Sequence, residues 1–534
     1  MSFVPNNSQQ LSLDDPYYSM SEREKKFLNN SWSSYFADHI FPKINEERLS
    51  VLYSDNPATR PGTPINIVFG ALLIKDMRGQ SDDDLLESVL FDYRYQYALH
   101  TSSMNNQPLS DRTLGRFRQR AYEYELKTGI DLIQQEIESL SAEMAMMMKI
   151  DGTMKRMDSL MVAANIKRLS RLELLYTCLA NLVSELVDNG TEIPEDISHY
   201  TDKDDRNKVI YHNHSDETSD KIDVVLKDCK TVLDLCGDSY DESSNYILFK
   251  RVLSEQTITN DDGSYRLRTK EDGGMTGKIL QNPSDPDATF REKAGKQNRG
   301  YVANVVESVG DNGSIVTSYD FAQNIHSDSE FAKETIEKLG KQDEKVTLVS
   351  DGAFGGTDNI ELAAKNNIDL VTTNLTGKAV NDIYADFEFS EDGRSVIKCP
   401  CGYTPKTCTY NPTTEQCSIT LDSMQCKNCP FKDKCKPHIG KNVARKTISL
   451  KSKMRALQQI FRKSDEFSKL SKFRNGVETI PSYLRRGHNI DHMPVRGLIR
   501  CKQWFGLSIG GSNIKKFCKY LQSLGKCAPC TANA

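Results

Sequence analysis

The run Lys345-Val-Thr-Leu-Val-Ser-Asp-Gly-Ala-Phe354 constrains this chain more than any other stretch. Its β-branched and apolar residues predict a strand that stops at Asp351-Gly352. Asn359-Ile-Glu-Leu-Ala-Ala-Lys365 then predicts a helix and Asp369-Leu-Val-Thr-Thr373 a second strand, so the segment reads as a βαβ unit. In open parallel sheets ligands collect at the carboxyl ends of the strands. Asp351 is therefore a candidate site residue, against the simpler reading that it only caps the following loop.

The chain leading to this unit has a readable order. Its 534 residues leave room for two to four domains. Residues 1 to about 140 read as helical, with apolar residues at helical spacing in 65–74 and 82–99 after the Arg60-Pro-Gly-Thr-Pro64 break. Ser110 is a good N-cap for a third helix, whose Arg112, Arg116, Arg118 and Arg120 suit DNA phosphates or simply a solvated face. Asp151 and Asp158 both stand in extended-looking chain, and either suits a strand beside Asp351. From Leu169 to about Thr257 the pattern turns helical and acidic, which predicts an insertion without strands. Strands return at 300–307 and 314–320, flanking the hairpin turn Gly310-Asp-Asn-Gly313. A helix at 328–339 then leads into the βαβ unit.

Charge and cysteine are both unevenly spread. The formal net charge is −5, yet residues 441–534 hold 20 Lys and Arg against 4 Asp and Glu, leaving −21 on the other 440 residues. Such asymmetry predicts a basic face that meets a polyanion. No run approaches a membrane span and the start lacks the pattern of a signal peptide, which points to a cytoplasmic protein without a membrane partner. Seven of the 14 cysteines fall between Cys399 and Cys435, which favours metal over disulfides in that compartment.

These words in this order resemble the DDE transposases of bacterial insertion sequences that carry an InsH-like N-terminal domain. The resemblance rests on residues 64–99, on Arg156-Met-Asp-Ser159 with Asn165-Ile and Arg171-Leu-Glu-Leu174, and on Asp285-Pro-Asp-Ala-Thr289. It continues through Gly300-Tyr-Val-Ala-Asn304, Ser350-Asp-Gly352 and the C-terminal segment. It implies a multidomain α/β protein with four parts. These are a helical N-terminal DNA-binding and assembly domain at 1–145, and an RNase H-like catalytic core at 146–380 with a helical insertion at about 168–280. A zinc-ribbon-like module at 395–440 and basic C-terminal helices at 441–534 that complete the core follow.

The implied chemistry is a DNA transposase that cuts insertion-sequence ends and joins the freed 3′-hydroxyl to target DNA. Three acids would hold two Mg²⁺ ions: Asp351, Glu478 and a first aspartate, with Asp158 favoured over Asp151 and Asp285 or Asp287 more natural in a turn. Glu478 is matched through the spacing of the family's Tyr, Arg, Glu and Lys signature, with Arg474 in place, Ser471 where the tyrosine is usual and Arg485 where the lysine is usual. Arg474 and Arg485 would position the DNA backbone. Gly476 and Pro481 predict a kink or a later helix start. The family's pattern makes Cys399, Cys426, Cys429 and Cys435 the ligands of a structural Zn²⁺, with Cys401, Cys408, Cys417 and His438 in reserve, and leaves the terminal pair Cys527 and Cys530 inert. Two copies on paired inverted-repeat ends are expected. The rival readings are a catalytically inactive DNA-binding relative and an RNase H-like nuclease without strand transfer.

Overall fold

The computed structural model describes residues 2–6, 15–54, 56, 58–101, 107–210, 217–293, 295–374 and 379–527, so Cys530 and part of the acidic stretch at 200–220 lie outside the described residues. The chain divides into two compact units. The first comprises Met1–Gly152, Ser159–Ser327 and Ile480–Ala534, the second Thr153–Asp158 and Asp328–Thr479.

In the first unit α1 (Ile65–Arg78) is buried at every position but the last, because its run 67–74 is apolar all round and its buried Lys75 is paired with Asp82. It ends at Gly79, in the left-handed region. α2 (Asp82–Phe91) opens with a capping box in which Ser81 and Asp84 satisfy each other's backbone amides. α3 (Asp111–Thr128) begins after Ser110 as the sequence predicts, and α4 (Leu132–Met147) is capped by Asp131. β1 (Met154–Ala163) leads from the second unit into the first.

The insertion is built from α5 (Arg171–Asp188), α6 (Thr218–Cys236) and α7 (Ser244–Gln256), with shorter helical turns between them. It has its own core of Leu175, Leu179, Val225, Val232 and Phe249. One departure from the expected all-helical insertion is an antiparallel ribbon, Thr257–Thr259 with Tyr265–Leu267. Strands of three residues are too short to show alternation in a sequence.

β2 (Thr289–Lys293), β3 (Lys296–Gly310) and β4 (Gly313–Gln323) are antiparallel neighbours, β3 in the middle. The end of β1 passes so close to β3 that a Cβ on Gly300 would fall on the backbone of Val162 and Ala164, and Gly300 itself has φ +138°.

In the second unit α8 (Asp328–Leu339) precedes β5 (Val346–Ser350), α9 (Thr357–Lys365) and β6 (Ile368–Thr372). β1 pairs with β5 and β5 with β6, both in parallel, which is the βαβ unit the sequence predicts. Within the second unit the hydrogen-bonded neighbours therefore run β1-β5-β6. The cysteine-bearing segment forms an antiparallel sheet of β7 (Thr407–Asn411), β8 (Gln416–Asp422), β9 (His438–Ile439) and β10 (Val443–Ile448), ordered β7-β8-β10-β9. This sheet runs on to Ile448, past the 440 boundary read from the cysteines alone, because Ala444 and Ile448 close its core. α10 (Leu450–Phe461) and α11 (Asp465–Asn475) follow.

Helix geometry breaks at Gly476–Glu478, a 3₁₀ turn, and resumes as α12 (Thr479–His488) with Pro481 in its first turn, as the sequence predicts. α13 (Leu498–Cys527) returns to the first unit and packs on α1, α4 and β4. A Cβ on Gly511 would fall on the backbone of Asp76 and Met77, so the adjacent glycines of α13 permit close helix contact. Asn513 of α13 donates to the Val316 carbonyl (2.7 Å) and accepts from its amide (3.0 Å), tying the last helix to β4. Among the described residues no helix is long and apolar enough to cross a membrane.

Candidate active site

Asp351 is where the β5 strand ends. Its carboxylate accepts the Gly352 amide at 2.6 Å and the Asn374 side-chain amide at 3.4 Å, so it caps the turn as well as facing the strand ends. A Cβ on Gly352 would fall on the Asn374 carbonyl, which is why the aspartate is followed by glycine. Gly352 and Asn374 also line an open cavity of about 330 Å³, whose other walls include Gly355, Thr372, Lys451 and Arg455.

Strand register brings the first acid beside it. Arg156 of β1 pairs with Val349 of β5, so two residues further on Asp158 stands level with Asp351. Asp151 precedes β1 and has no place in this register. Asp158 is partly buried, its side chain 16% exposed, and lies 3.1 Å from an Arg474 guanidinium nitrogen. The other terminal nitrogen of Arg474 lies 2.6 Å from Glu478, whose side chain is 60% exposed. One guanidinium, brought by the last turn of α11, thus spans two of the three expected acids. It offsets their repulsion through charge-assisted hydrogen bonds. Arg474, expected on DNA phosphate, thus also stands between two carboxylates.

Asp285 and Asp287 are held differently. Asp285 is fully buried and accepts the Tyr301 hydroxyl at 2.6 Å. Burial pushes its carboxyl above the ordinary range, and the Tyr301 bond partly opposes that shift. Asp287 accepts the Leu498 amide at 2.9 Å and so caps α13. The Asp-Pro-Asp motif is an anchor for the last helix, in keeping with its turn-forming sequence.

Arg485 donates to Asp491 (3.0 Å) and to the Met161 carbonyl (2.9 Å), which leaves its side chain 42% exposed at the end of β1. On α3, Arg112 and Arg116 are exposed, whereas Arg118 is held by Asp82 and Arg120 lies over the Tyr53 ring at 4.5 Å.

The cysteines gather around one small core that holds Cys399, Cys426 and Cys435. Cys399-Pro-Cys-Gly402 is a tight turn closed by the Gly402 amide on the Cys399 carbonyl at 2.8 Å, with Gly402 at φ +82°. Asp422 caps the short helix that carries Cys426. Burial pushes the Cys426 thiol up to about 11, and Cys399, Cys429 and Cys435 add to it. Burial raises the thiol of Cys401, a reserve ligand, and the neighbouring Cys429 adds to it. Cys408 and Cys417 interact with each other on neighbouring strands.

Among the described residues no three His, Cys, Asp or Glu side chains converge closely enough to hold a metal ion. The donor chemistry still fits the expected ions: carboxylates on adjacent strands and a nearby turn suit a hard divalent cation, and thiols on turns suit zinc.

A family model described as a transposase DDE domain matches residues 398–518, and one described as a transposase domain (DUF772) matches residues 23–120. The first span contains the cysteines of the module together with Arg474, Glu478 and Arg485, and the second contains Arg112 and Arg116. No curated protein and no solved structure matches the chain. A DDE domain implies an RNase H-like core, and the class generally works with a divalent metal. The two matched segments, a transposase domain near the start and a transposase DDE domain near the end, support an insertion-sequence DDE transposase.

Proposed function

We propose that this protein cuts the ends of its insertion sequence and joins the freed 3′-hydroxyl to target DNA, with Asp158, Asp351 and Glu478 as its metal-holding acids. The observation that carries this reading is the β1–β5 register, which sets Asp158 level with Asp351, together with Arg474, which joins Asp158 to Glu478. The three acids would hold two Mg²⁺ ions, which when bound activate a water or 3′-hydroxyl and stabilise the leaving oxygen of the phosphodiester. Asp351 stays oriented through its bonds to Gly352 and Asn374. Arg474 and Arg485 position the DNA backbone, and Arg112 and Arg116 take phosphates of the element's ends. The parts are an N-terminal domain at 1–145, an RNase H-like core at 146–380 interrupted at about 168–280, a cysteine module at 395–440 and basic helices at 441–534. Two copies assemble on paired ends in the cytoplasm.

In the cysteine module, Cys399, Cys426, Cys429 and Cys435 would hold one structural Zn²⁺. Metal analysis of the purified chain is expected to give about one zinc per chain, falling in Cys426→Ser. A folded wild-type protein free of zinc would remove this assignment.

The function itself is tested with a DNA duplex carrying the element's end. Nicking and joining in Mg²⁺ are expected from the wild type. Binding without nicking would turn the reading to an inactive DNA-binding relative, and nicking without joined product to a nuclease.

A further inference from the structure

Arg156 has no part in the chemistry above, yet it sits two residues before Asp158 on the same strand, and so on the same face. Its guanidinium donates to the Phe473 carbonyl at 2.9 Å and lies over the Phe473 ring, 5.4 Å from its centroid. That carbonyl belongs to the last turn of α11 and also accepts the Gly476 amide, so the guanidinium takes its second lone pair. Gly476 has an ordinary right-handed φ of −62°, so its backbone does not demand glycine. The demand comes from Arg156, because a Cβ on residue 476 would overlap the guanidinium. Arg156 thus fills a socket that only glycine leaves open, between the residue that precedes Arg474 and the turn that carries Glu478.

We infer that Arg156 is a positioning residue: seated on Gly476 and the Phe473 carbonyl, it locks the Arg474–Glu478 turn onto the strand that carries Asp158. The inference rests on the assignment of Asp158 and Glu478 proposed above and adds the part that fixes their separation. Beside the clamp, Arg474 ties Glu478 to Asp158 of β1 and Val477 is buried next to it, while the turn itself lies at a helix break. A displacement of about 1 Å in a reacting group costs on the order of a hundredfold in rate.

The test combines a readout on the free protein with one on DNA. In Arg156→Met, which keeps the bulk and removes the donors, amide hydrogen exchange over residues 473–480 is expected to rise at least about tenfold. Cleavage of end DNA at saturating protein is expected to fall about a hundredfold with the dissociation constant for that DNA unchanged, and Arg156→Lys is expected to regain part of the loss. Gly476→Ala should evict the guanidinium and match Arg156→Met, and the double variant should be no worse than either alone. Exchange at 473–480 equal to wild type, or effects of the two substitutions that multiply, would overturn the clamp. Should the wild type bind DNA and never cut it, the transposase reading falls, while exchange and the double variant still decide whether Arg156 holds the turn.

Discussion

Asp158, on a strand, and Asp285, in a turn, are both candidates for the first acid, and they end up in opposite surroundings. Asp158 keeps part of its side chain in solvent, and its partner is a guanidinium that arrives from 316 positions along the chain. Asp285 is sealed, paired with a neutral phenol, with its neighbour spent on a helix cap. The contrast separates an acid kept available for a cation from an acid consumed by the fold. A buried carboxyl with a raised pKa is a common mark of a functional site. Here it marks the anchor, and the functional candidate is the acid whose charge is offset by a movable cation.

The sharpest way to break that comparison is to remove the acids. Asp158→Ala, Asp351→Ala and Glu478→Ala are each expected to lower end cleavage by at least about a thousandfold, roughly 4 kcal/mol of transition-state stabilisation, with end binding retained in a gel-shift assay. Asp285→Ala should instead leave cleavage per folded molecule intact. A selective loss of cleavage in Asp285→Ala would erase the distinction.

Removing the cation between the acids is the next largest effect. Arg474→Met is expected to slow single-turnover cleavage about a hundredfold through misplacement of Glu478 and the DNA backbone. Asp285→Ala leaves the Tyr301 hydroxyl buried without its acceptor, which is expected to cost about 1–3 kcal/mol in a urea titration. Asp285→Asn keeps an acceptor and sharpens the point through pH. A carboxyl whose folded pKa is raised holds its proton longer in the native state, so stability falls as pH rises from the ordinary carboxylate value to the folded one. That decline should be shallower in Asp285→Asn. The smallest effect is on α3, where Arg112→Ala is expected to lower the slope of log affinity against log salt by about 1 and to leave cleavage of bound ends unchanged.

Much of this contrast was legible in residues 300–373, where strand, turn and helix signals are local. Val346-Thr-Leu-Val-Ser350 can only be a buried strand, and Gly310-Asp-Asn-Gly313 can only turn, so the order of elements around Asp351 follows from neighbours in sequence. The kink at Gly476 was legible for the same reason. What could not be read was the reason for that glycine, since the guanidinium it accommodates lies 320 positions earlier. Asp158 was favoured over Asp151 through the family resemblance alone, because register is set by strand pairing rather than by composition. Nor could the sequence show that Gly510 and Gly511 lie inside α13 at its contact with α1, which leaves no room for a Cβ.

The most direct measurement is Mg²⁺-dependent, single-turnover cleavage of an end-bearing duplex by the wild type and by Asp158→Ala, Asp151→Ala, Asp351→Ala and Glu478→Ala, each checked for end binding. The expected result is cutting by the wild type and Asp151→Ala, and none by the other three. Cutting that survives in Asp158→Ala or Glu478→Ala, or that is lost in Asp151→Ala alone, would contradict the assignment of the acids that Arg474 joins.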